Sequence, residues 1–498
     1  MVERYDACVI GAGADGLAAA IILARAGFKT ILVERSERLG GRLQTREFHP
    51  GFRAAPFLDT VAPIPSEIFW SFDLARRGAL LSPASTSLAV WPDRVSALRL
   101  SAQPLLHEAA AHSRDVIERV ADEARHVPER RSFFRRPQAQ PAWPGEVWAN
   151  RSLAELLAAG TNEQAEADHL TAMALSGRAA DPFLAGTALH LLAPAAGGSA
   201  VAVGGPASLA GALAAAAQAE GVEISSGLDV TDIRQNKGRV TGVCLADGTE
   251  IAARAVITTL DLKRSVLSLF KWNELPAAMT ARVSGFRMAG GTARLLLALE
   301  CPPEWPQPWR EADLSPRGHT AVHLAPDPSN QAEAYAAWRG GTIPEHPPLT
   351  LRLPSARDPR LAPPGKAVMT VTLGCIPFRL FDGGWTKEKR DQLQARALSA
   401  IEDALPGIEA RLLHAEIIAP PDIEDALGLT EGDLWGGEIA ADQMLGLRPW
   451  ADVASPRTPL EGLYLAGPSS AAGPLATCVA GVAAAGALIT DAKAGRLK

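Results

Sequence analysis

Gly11-Ala-Gly13-Ala-Asp-Gly16 constrains this chain more than any other stretch, because of what stands on either side of it. Before it runs Tyr5-Asp-Ala-Cys-Val-Ile10, a short segment of strand character, and after it Leu17 to Ala26, rich in helix formers. Gly27 ends that helix, and Lys29-Thr-Ile-Leu-Val33 supplies a second strand that finishes at Glu34. Strand, tight turn, helix, strand and terminal acid together have the length of one dinucleotide-binding unit. Gly11 permits the turn, Gly13 lets the backbone approach a pyrophosphate, and Gly16 lets helix and strand pack closely. The helix N-terminus offers amides and a positive dipole end to the phosphates, while Glu34 can accept from a ribose diol, which favours a free 2′-hydroxyl. The competing reading is a glycine turn that merely joins strand to helix.

The residues just beyond Glu34 bear on which dinucleotide is bound. Arg35-Ser-Glu-Arg-Leu-Gly40-Gly41-Arg42 resembles the extension found in the large FAD family that includes amine oxidases and carotenoid desaturases, and NAD enzymes generally lack it. Gly40 and Gly41 let the backbone pass close to a cofactor, and Arg42 offers a cation to a diphosphate. An ordinary Gly-Gly turn beside a solvated arginine is the alternative.

At 498 residues, 47% hydrophobic and 21% charged, the chain has material for two or three domains, or two interleaved ones. A formal net charge of −6 supplies no field that would draw it onto nucleic acid, which is therefore not an expected partner. Cys8, Cys244, Cys301, Cys375 and Cys478 are scattered and contain no Cys-x-x-Cys pair, which argues against a disulfide framework or a metal site and for a reducing compartment. Because Tyr5 to Ile10 reads as a buried strand rather than a signal peptide, a cytoplasmic location is expected. Val479 to Ile489 is too short to span a bilayer and reads as a packed core helix.

Beyond about residue 75 the pattern turns helical and irregular, including Ala102 to Arg125 and the Pro- and Trp-rich Pro137 to Trp148. Gly204-Gly205-Pro-Ala-Ser-Leu-Ala-Gly211 looks superficially like a phosphate loop, but no acid stands at the right distance after it, and it reads as a turn and helix start. Val222 to Ser225, Leu228 to Ile233, Arg239 to Leu245 and Glu250 to Thr258 read as a small β-meander with Asp247-Gly248 as a hairpin turn. Strands at Thr292 to Leu299 and Ala367 to Leu373 and a helix from Lys387 to Leu405 come next. Leu460 to Gly467 is a strand ending in glycine, and a helix from about Thr477 to Ala494 closes the pattern.

Together these residues resemble the carotenoid and phytoene desaturase-like flavoproteins, and more closely the branch named after a pyridine nucleotide-disulfide oxidoreductase domain. The likeness runs nearly the whole length through Gly51-Phe-Arg-Ala-Ala, Leu353 to Gly365, Ala419-Pro-Pro-Asp-Ile, Gly432-Asp-Leu, Asp442-Gln443, Arg448-Pro449 and Gly462-Leu-Tyr-Leu-Ala-Gly467. It implies an α/β fold in which a Rossmann-like FAD-binding domain of the glutathione-reductase/amine-oxidase type, residues 1–75, 196–265 and 441–498, is interleaved with an α+β substrate domain, residues 76–195 and 266–440. It implies FAD held by Gly11, Gly13, Gly16, Glu34, Arg35, Gly41, Arg42, Val230, Gly467 and Gly473, and an apolar small-molecule substrate. The chain departs from the family where His-Pro and a glycine triplet usually stand, reading Ala471-Ala-Gly473-Pro-Leu-Ala-Thr-Cys478. Pro474 and Leu475 would crowd a flavin there, unless Pro474 opens the next helix in its first turn. Cys478 is either a thiol of lowered pKa, placed where some amine oxidases attach flavin covalently, or a small packed cysteine.

The expected activity is hydride transfer from a substrate C–H bond to flavin, as a desaturase, dehydrogenase or oxidase, with the protein supplying position and exclusion of water. A single dinucleotide motif directs the expected acceptor toward oxygen, a quinone or another carrier. With only Tyr5, Tyr335 and Tyr464, an aromatic cage for an amine would need tryptophan or phenylalanine. No catalytic base is identifiable; His190, Asp442 and Gln443 are the polar candidates for contact with substrate. Arg125, Arg130, Arg131, Arg135 and Arg136, interleaved with Phe133 and Phe134, form either a solvated loop or a peripheral contact with an anionic membrane. Because the flavin loop is altered, an FAD-binding scaffold of impaired catalysis and a cofactor-free lipid- or protein-binding relative are the alternatives.

Overall fold

The computed structural model describes residues 4–83, 86–91, 93–99, 103–126, 146–192, 200–271, 274–305, 321–449 and 456–497. The arginines and phenylalanines of 130–136, and most of Pro137 to Trp148, lie outside these residues. Two seven-stranded sheets organise the rest, giving an α/β fold with a Rossmann-like parallel centre and an α+β second layer.

The centre of the first sheet is Arg4–Ile10, where Ala7, Cys8, Val9 and Ile10 are all buried because helices and loops cover both faces. Thr30–Val33 and Glu250–Thr258 flank it in parallel, and Leu463–Leu465 pairs in parallel with the C-terminal part of Glu250–Thr258. Val230–Asn236 and Arg239–Leu245 extend the sheet as an antiparallel hairpin onto Glu250–Thr258. The meander is therefore one strand shorter than its sequence reads. Glu223–Ser225 lies at the opposite edge, paired in parallel with Thr30–Val33, because the helix Pro206–Ala219 carries the chain across before it.

Helix Ala14–Arg25 packs on helix Val479–Lys493 through small residues. A Cβ at Gly481 would stand 1.9 Å from the Asp15 carbonyl oxygen, so the approach requires glycine. Both helices bury alanines and leucines, and Leu17, Leu23 and Leu488 are fully enclosed, each worth about 1.5–3 kcal/mol of burial. Among the described residues no helix is long and apolar enough to cross a membrane.

The second sheet runs Leu412–Ile418, Ala293–Leu299, Ala367–Leu373, Leu349–Arg352, Ala321–Leu324, Thr86–Val90, Val95–Arg99. Alternation gives its central strands two unlike faces. Leu295, Leu297, Val371, Leu351 and Val322 pack with Leu393, Ala397 and Ile401 of the helix Lys387–Ala404. The residues between them in register, Arg294, Thr372, Thr350 and His323 in one cross-strand row and Thr370 and Arg352 in the next, turn to the opposite side. That polar face looks onto the first sheet's glycine turn across a cavity.

Candidate active site

The cavity holds about 2380 Å³ of empty space, its open mouth included, and reaches from the Gly11–Ala14 turn to the polar face of the second sheet. Gly11, Gly13, Glu34, Arg35, Gly41, Arg42, Val230, Gly467 and Gly473 all line it. Gly16 stands behind the lining, where a Cβ would come within 1.9 Å of the Gly11 carbonyl oxygen.

The glycine turn presents bare backbone. Gly11 holds φ +97°, a conformation that side chains resist, and a Cβ there would meet Thr259 Oγ1 at 2.3 Å. Helix Ala14–Arg25 opens at Gly13 with no side-chain cap, so its first-turn amides have no intrahelical acceptor and border the cavity. Gly41, at φ +54°, brings its own backbone to Gly13, with a Cβ position 3.6 Å from the Gly13 Cα. Glu34 Oε2 accepts the Ala12 amide at 2.7 Å and Oε1 the Ser36 amide at 2.9 Å, which fixes the carboxylate and leaves each oxygen a further lone pair. Uncapped amides for a pyrophosphate and an oriented carboxylate for a ribose fit FAD.

Two cations of the motif have additional work. Arg35 donates to the Asp425 and Ala426 carbonyl oxygens at 3.1 and 3.0 Å, at the end of helix Pro420–Leu427. Arg42 donates to the Leu434 carbonyl oxygen, and burial lowers its pKa against the pull of Asp15 and Asp433. Asp15 itself is 8% exposed, and its Oδ1 accepts the Gly481 amide at 3.2 Å. Burial pushes its pKa up to about 6, opposed by the Gly481 amide and Arg42.

The altered loop is held by tight turns. Gly473 donates to the Ser470 carbonyl oxygen at 3.1 Å and Leu475 to that of Ala472 at 3.1 Å, while Thr477 ties the loop to Ala62 and Pro63. Pro474 lines the cavity but does not start the helix, which begins at Val479. Leu475 is buried in the core and is not part of the lining. Cys478 is buried, and desolvation followed by the Asp15 charge raises its thiol pKa well above the ordinary value. A lowered thiol pKa is thus corrected, and the packed cysteine is what the fold contains.

The far wall is polar and cationic. Arg294, 1% exposed, pairs with Asp59 at 2.7 Å and donates to Thr372 Oγ1. Arg178, also buried, lies over the Trp435 ring with its guanidinium carbon 4.1 Å from the centroid. Burial lowers its pKa to about 9. Beside them His323 places Nδ1 3.0 Å from Thr350 Oγ1 and Nε2 3.1 Å from Ser87 Oγ, and Ser87 meets His169 Nε2 at 3.0 Å. Desolvation lowers both imidazole pKa values, that of His169 to about 3, so both rings are neutral at physiological pH. Phe57, Leu58, Met173 and Leu434 add apolar surface to the lining.

The three polar candidates from sequence do not line the cavity. His190 is buried behind Arg178, Nδ1 to Nη1 3.5 Å, and desolvation holds it neutral. Asp442 forms an exposed ion pair with Arg287 at 2.8 and 2.5 Å. Gln443 commits its amide to the Arg287 backbone and the Glu438 carbonyl oxygen. Their motif neighbours do meet at the site: Asp433 accepts the Trp435 amide at 2.8 Å, and buried Arg448 donates to the carbonyl oxygens of Gly436 and Pro468 at 2.7 and 2.9 Å, tying the Trp435 segment to Pro468 on the cavity wall. The sequence reading missed the lining residues Arg178, Arg294, Arg352, His323 and Trp435; for Arg294, Arg352 and His323 the signal was a polar residue inside an apolar strand, while Arg178 and Trp435 lie in turn and loop segments that carried none.

A family model described as flavin containing amine oxidoreductase matches residues 16–489. The chain is 27% identical to the pyridine nucleotide-disulfide oxidoreductase domain-containing protein 2 of Mus musculus, covering 98% of this chain and 94% of that one. It is 26% identical to the neurosporene-forming phytoene desaturase of Rhodobacter capsulatus, covering 93% and 89%. Among solved structures, cyclohexylamine oxidase from Brevibacterium oxydans superposes with a TM-score of 0.60 at 15% identity, covering 99% of this chain and 100% of the other.

Proposed function

Because the chain belongs to the family of flavin-containing amine oxidoreductases and is an FAD-dependent oxidoreductase, we propose that it takes hydride from a C–H bond of a small molecule held between the Gly11 cradle and the Arg294 face of the second sheet. The observation that carries this reading is the continuity of one cavity from cradle to wall. Bound FAD supplies the two-electron acceptor.

This chain's own residues bind, orient and exclude water. The amides after Gly13 and the Glu34 carboxylate would hold the dinucleotide, and the glycine backbones at 11, 13 and 41 would permit its close approach. Phe57, Leu58, Met173 and Leu434 favour an apolar substrate body and keep solvent from the reacting bond. His323, hydrogen-bonded on both nitrogens and held uncharged by desolvation, fixes the polar wall. Helix Pro206–Ala219 starts directly after Gly204-Gly205, and no second dinucleotide motif accompanies it, which supports oxygen, a quinone or another carrier as electron acceptor.

The absorption spectrum of purified protein tests this reading, taken before and after acid precipitation and then during anaerobic addition of substrates. Flavin bands released by acid and bleached by a substrate are expected. A chain that stays colourless after incubation with FAD would overturn the proposal. Flavin bands that dithionite bleaches but no substrate does would favour a catalytically impaired scaffold instead.

A further inference from the structure

From the wall facing the cradle we infer that the substrate carries a carboxylate, which Arg178 and Arg294 receive. The inference deepens the oxidoreductase reading above by naming the chemical class of substrate, and it rests on that reading.

Arg178 and Arg294 come to one place for a structural reason. The segment Ser176-Gly177-Arg178 lies flat on the polar face of the second sheet, close enough that a Cβ at Gly177 would stand 2.6 Å from Thr372 Cγ2. Ser176 Oγ meets Thr350 Oγ1 at 2.8 Å, and the Gly177 carbonyl oxygen accepts from Thr292 Oγ1 and, at 3.4 Å, from Trp435 Nε1. Thr372 also receives Arg294 from the neighbouring strand. Both arginines therefore line the same cavity, Arg178 from a segment packed on Thr372 and Arg294 through its bond to Thr372.

Arg294 is charge-paired within the wall, whereas Arg178 has no acid hydrogen-bonded to it among the described residues. Arg294 has Asp59, but among the described residues its Nε has no hydrogen-bond partner, and Asp59 Oδ1 has none either. Arg178 makes no ion pair among the described residues; its guanidinium lies on the Trp435 face and beside the neutral His190 ring, with the buried Asp433 near enough for its charge to favour the cation and Arg448 opposing it. A buried guanidinium with no acid hydrogen-bonded to it is costly, and on the lining of a cavity it suits an incoming anion. A guanidinium also matches the planar, two-oxygen geometry of a carboxylate. The same wall opposes a cationic amine, while the apolar part of the lining accommodates a hydrocarbon body. An amphiphilic acid satisfies both parts, which adds an acidic group to the apolar substrate expected from sequence.

The flavin-loaded protein should be titrated with butyrate, octanoate, decanoate and phenylacetate, and with the amine and alcohol of matching skeleton. Changes in the flavin absorption spectrum and the heat of binding are the readouts. Carboxylates should bind more tightly than their amines and alcohols. Arg178→Met should weaken that binding roughly tenfold to a hundredfold while flavin content and melting temperature stay unchanged, and Arg178→Lys should restore part of it. Equal or tighter binding of amines or alcohols, or no carboxylate binding in the millimolar range, would overturn the inference. So would Arg178→Met that purifies without flavin, since the arginine would then serve the cofactor. A wild-type chain that takes up no FAD fails the oxidoreductase reading instead, and calorimetry on that flavin-free chain still decides whether carboxylates bind.

Discussion

The Glu34 carboxylate accepts the Ala12 amide at 2.7 Å, so the acid at the end of the second strand is fastened to the middle of the glycine turn. The other oxygen holds the Ser36 amide at 2.9 Å. Glu34→Gln replaces one acceptor oxygen by a donor that faces an amide, and charge-assisted bonds of this kind are worth about 1.5–3 kcal/mol. FAD affinity should fall roughly tenfold to a hundredfold. Quenching of flavin fluorescence on titration measures it, and unchanged affinity in Glu34→Gln would remove Glu34 from the cofactor site.

Asp15 makes the cradle sensitive to pH. Its pKa is about 6 in the folded protein against an ordinary 3.8. Between those values the folded chain binds more protons than the unfolded one, so the contribution to stability is greatest below the lower value. It falls as pH rises through the window and is constant above about 6. A shift of this size corresponds to about 3 kcal/mol. The ionised group also borders the site for a diphosphate, so FAD should bind more weakly as pH rises through the same window. Asp15→Asn keeps an acceptor for the Gly481 amide and should flatten both profiles, apart from the share due to Asp433, which burial also pushes to about 6. Denaturant melts and FAD titrations across this range measure both effects, and parallel slopes in wild type and variant would sink the assignment.

The unit from Tyr5 to Glu34 was legible because its information is local: turn, helix and strand are adjacent in sequence, and each glycine answers a neighbour. The cationic wall was not, because it is assembled across strands. Arg294 and Thr372 are register partners from distant segments, and Arg178 reaches them only through the fold. Arg294 is the second residue of a strand that is otherwise Leu and Ala, and the Thr-Val-Thr of Ala367–Leu373 reads equally well as a solvent face. Asp442 and Gln443 misled for the converse reason. Their motif is tied to the site through the backbone around Trp435, while their side chains point to Arg287.

Gly473 should tolerate no side chain. A Cβ there would stand 2.1 Å from the Gly467 carbonyl oxygen and 2.5 Å from the Pro468 Cα, both backbone atoms that no rotamer change can move. Gly473→Ala should cost about 1–3 kcal/mol and reduce flavin content, because the loop would be displaced from Pro468 on the cavity wall. Gly486 supplies the contrast: it lies inside helix Val479–Lys493 with nothing within 4 Å of its Cβ position. Gly486→Ala should stabilise by about 0.5–1 kcal/mol. Denaturation midpoints of the two variants should therefore move in opposite directions.

Cys478 should be chemically silent. It caps helix Val479–Lys493 at φ +71°, but its side chain is fully buried, and it is not among the cavity-lining residues. Desolvation and the nearby Asp15 charge both disfavour the thiolate, which outweighs the help a helix N-terminus gives an anion. A thiol held protonated and enclosed neither attacks an alkylating reagent nor forms a bond to flavin. Native protein treated with iodoacetamide at neutral pH should remain unmodified at Cys478 and react there only after denaturation, as read by peptide mass. Cys478→Ala should bind FAD in the wild-type ratio, and acid should release the flavin from both. Flavin that stays with the wild-type chain through acid precipitation but not with Cys478→Ala would show instead that the helix dipole wins and that the cysteine is the point of attachment.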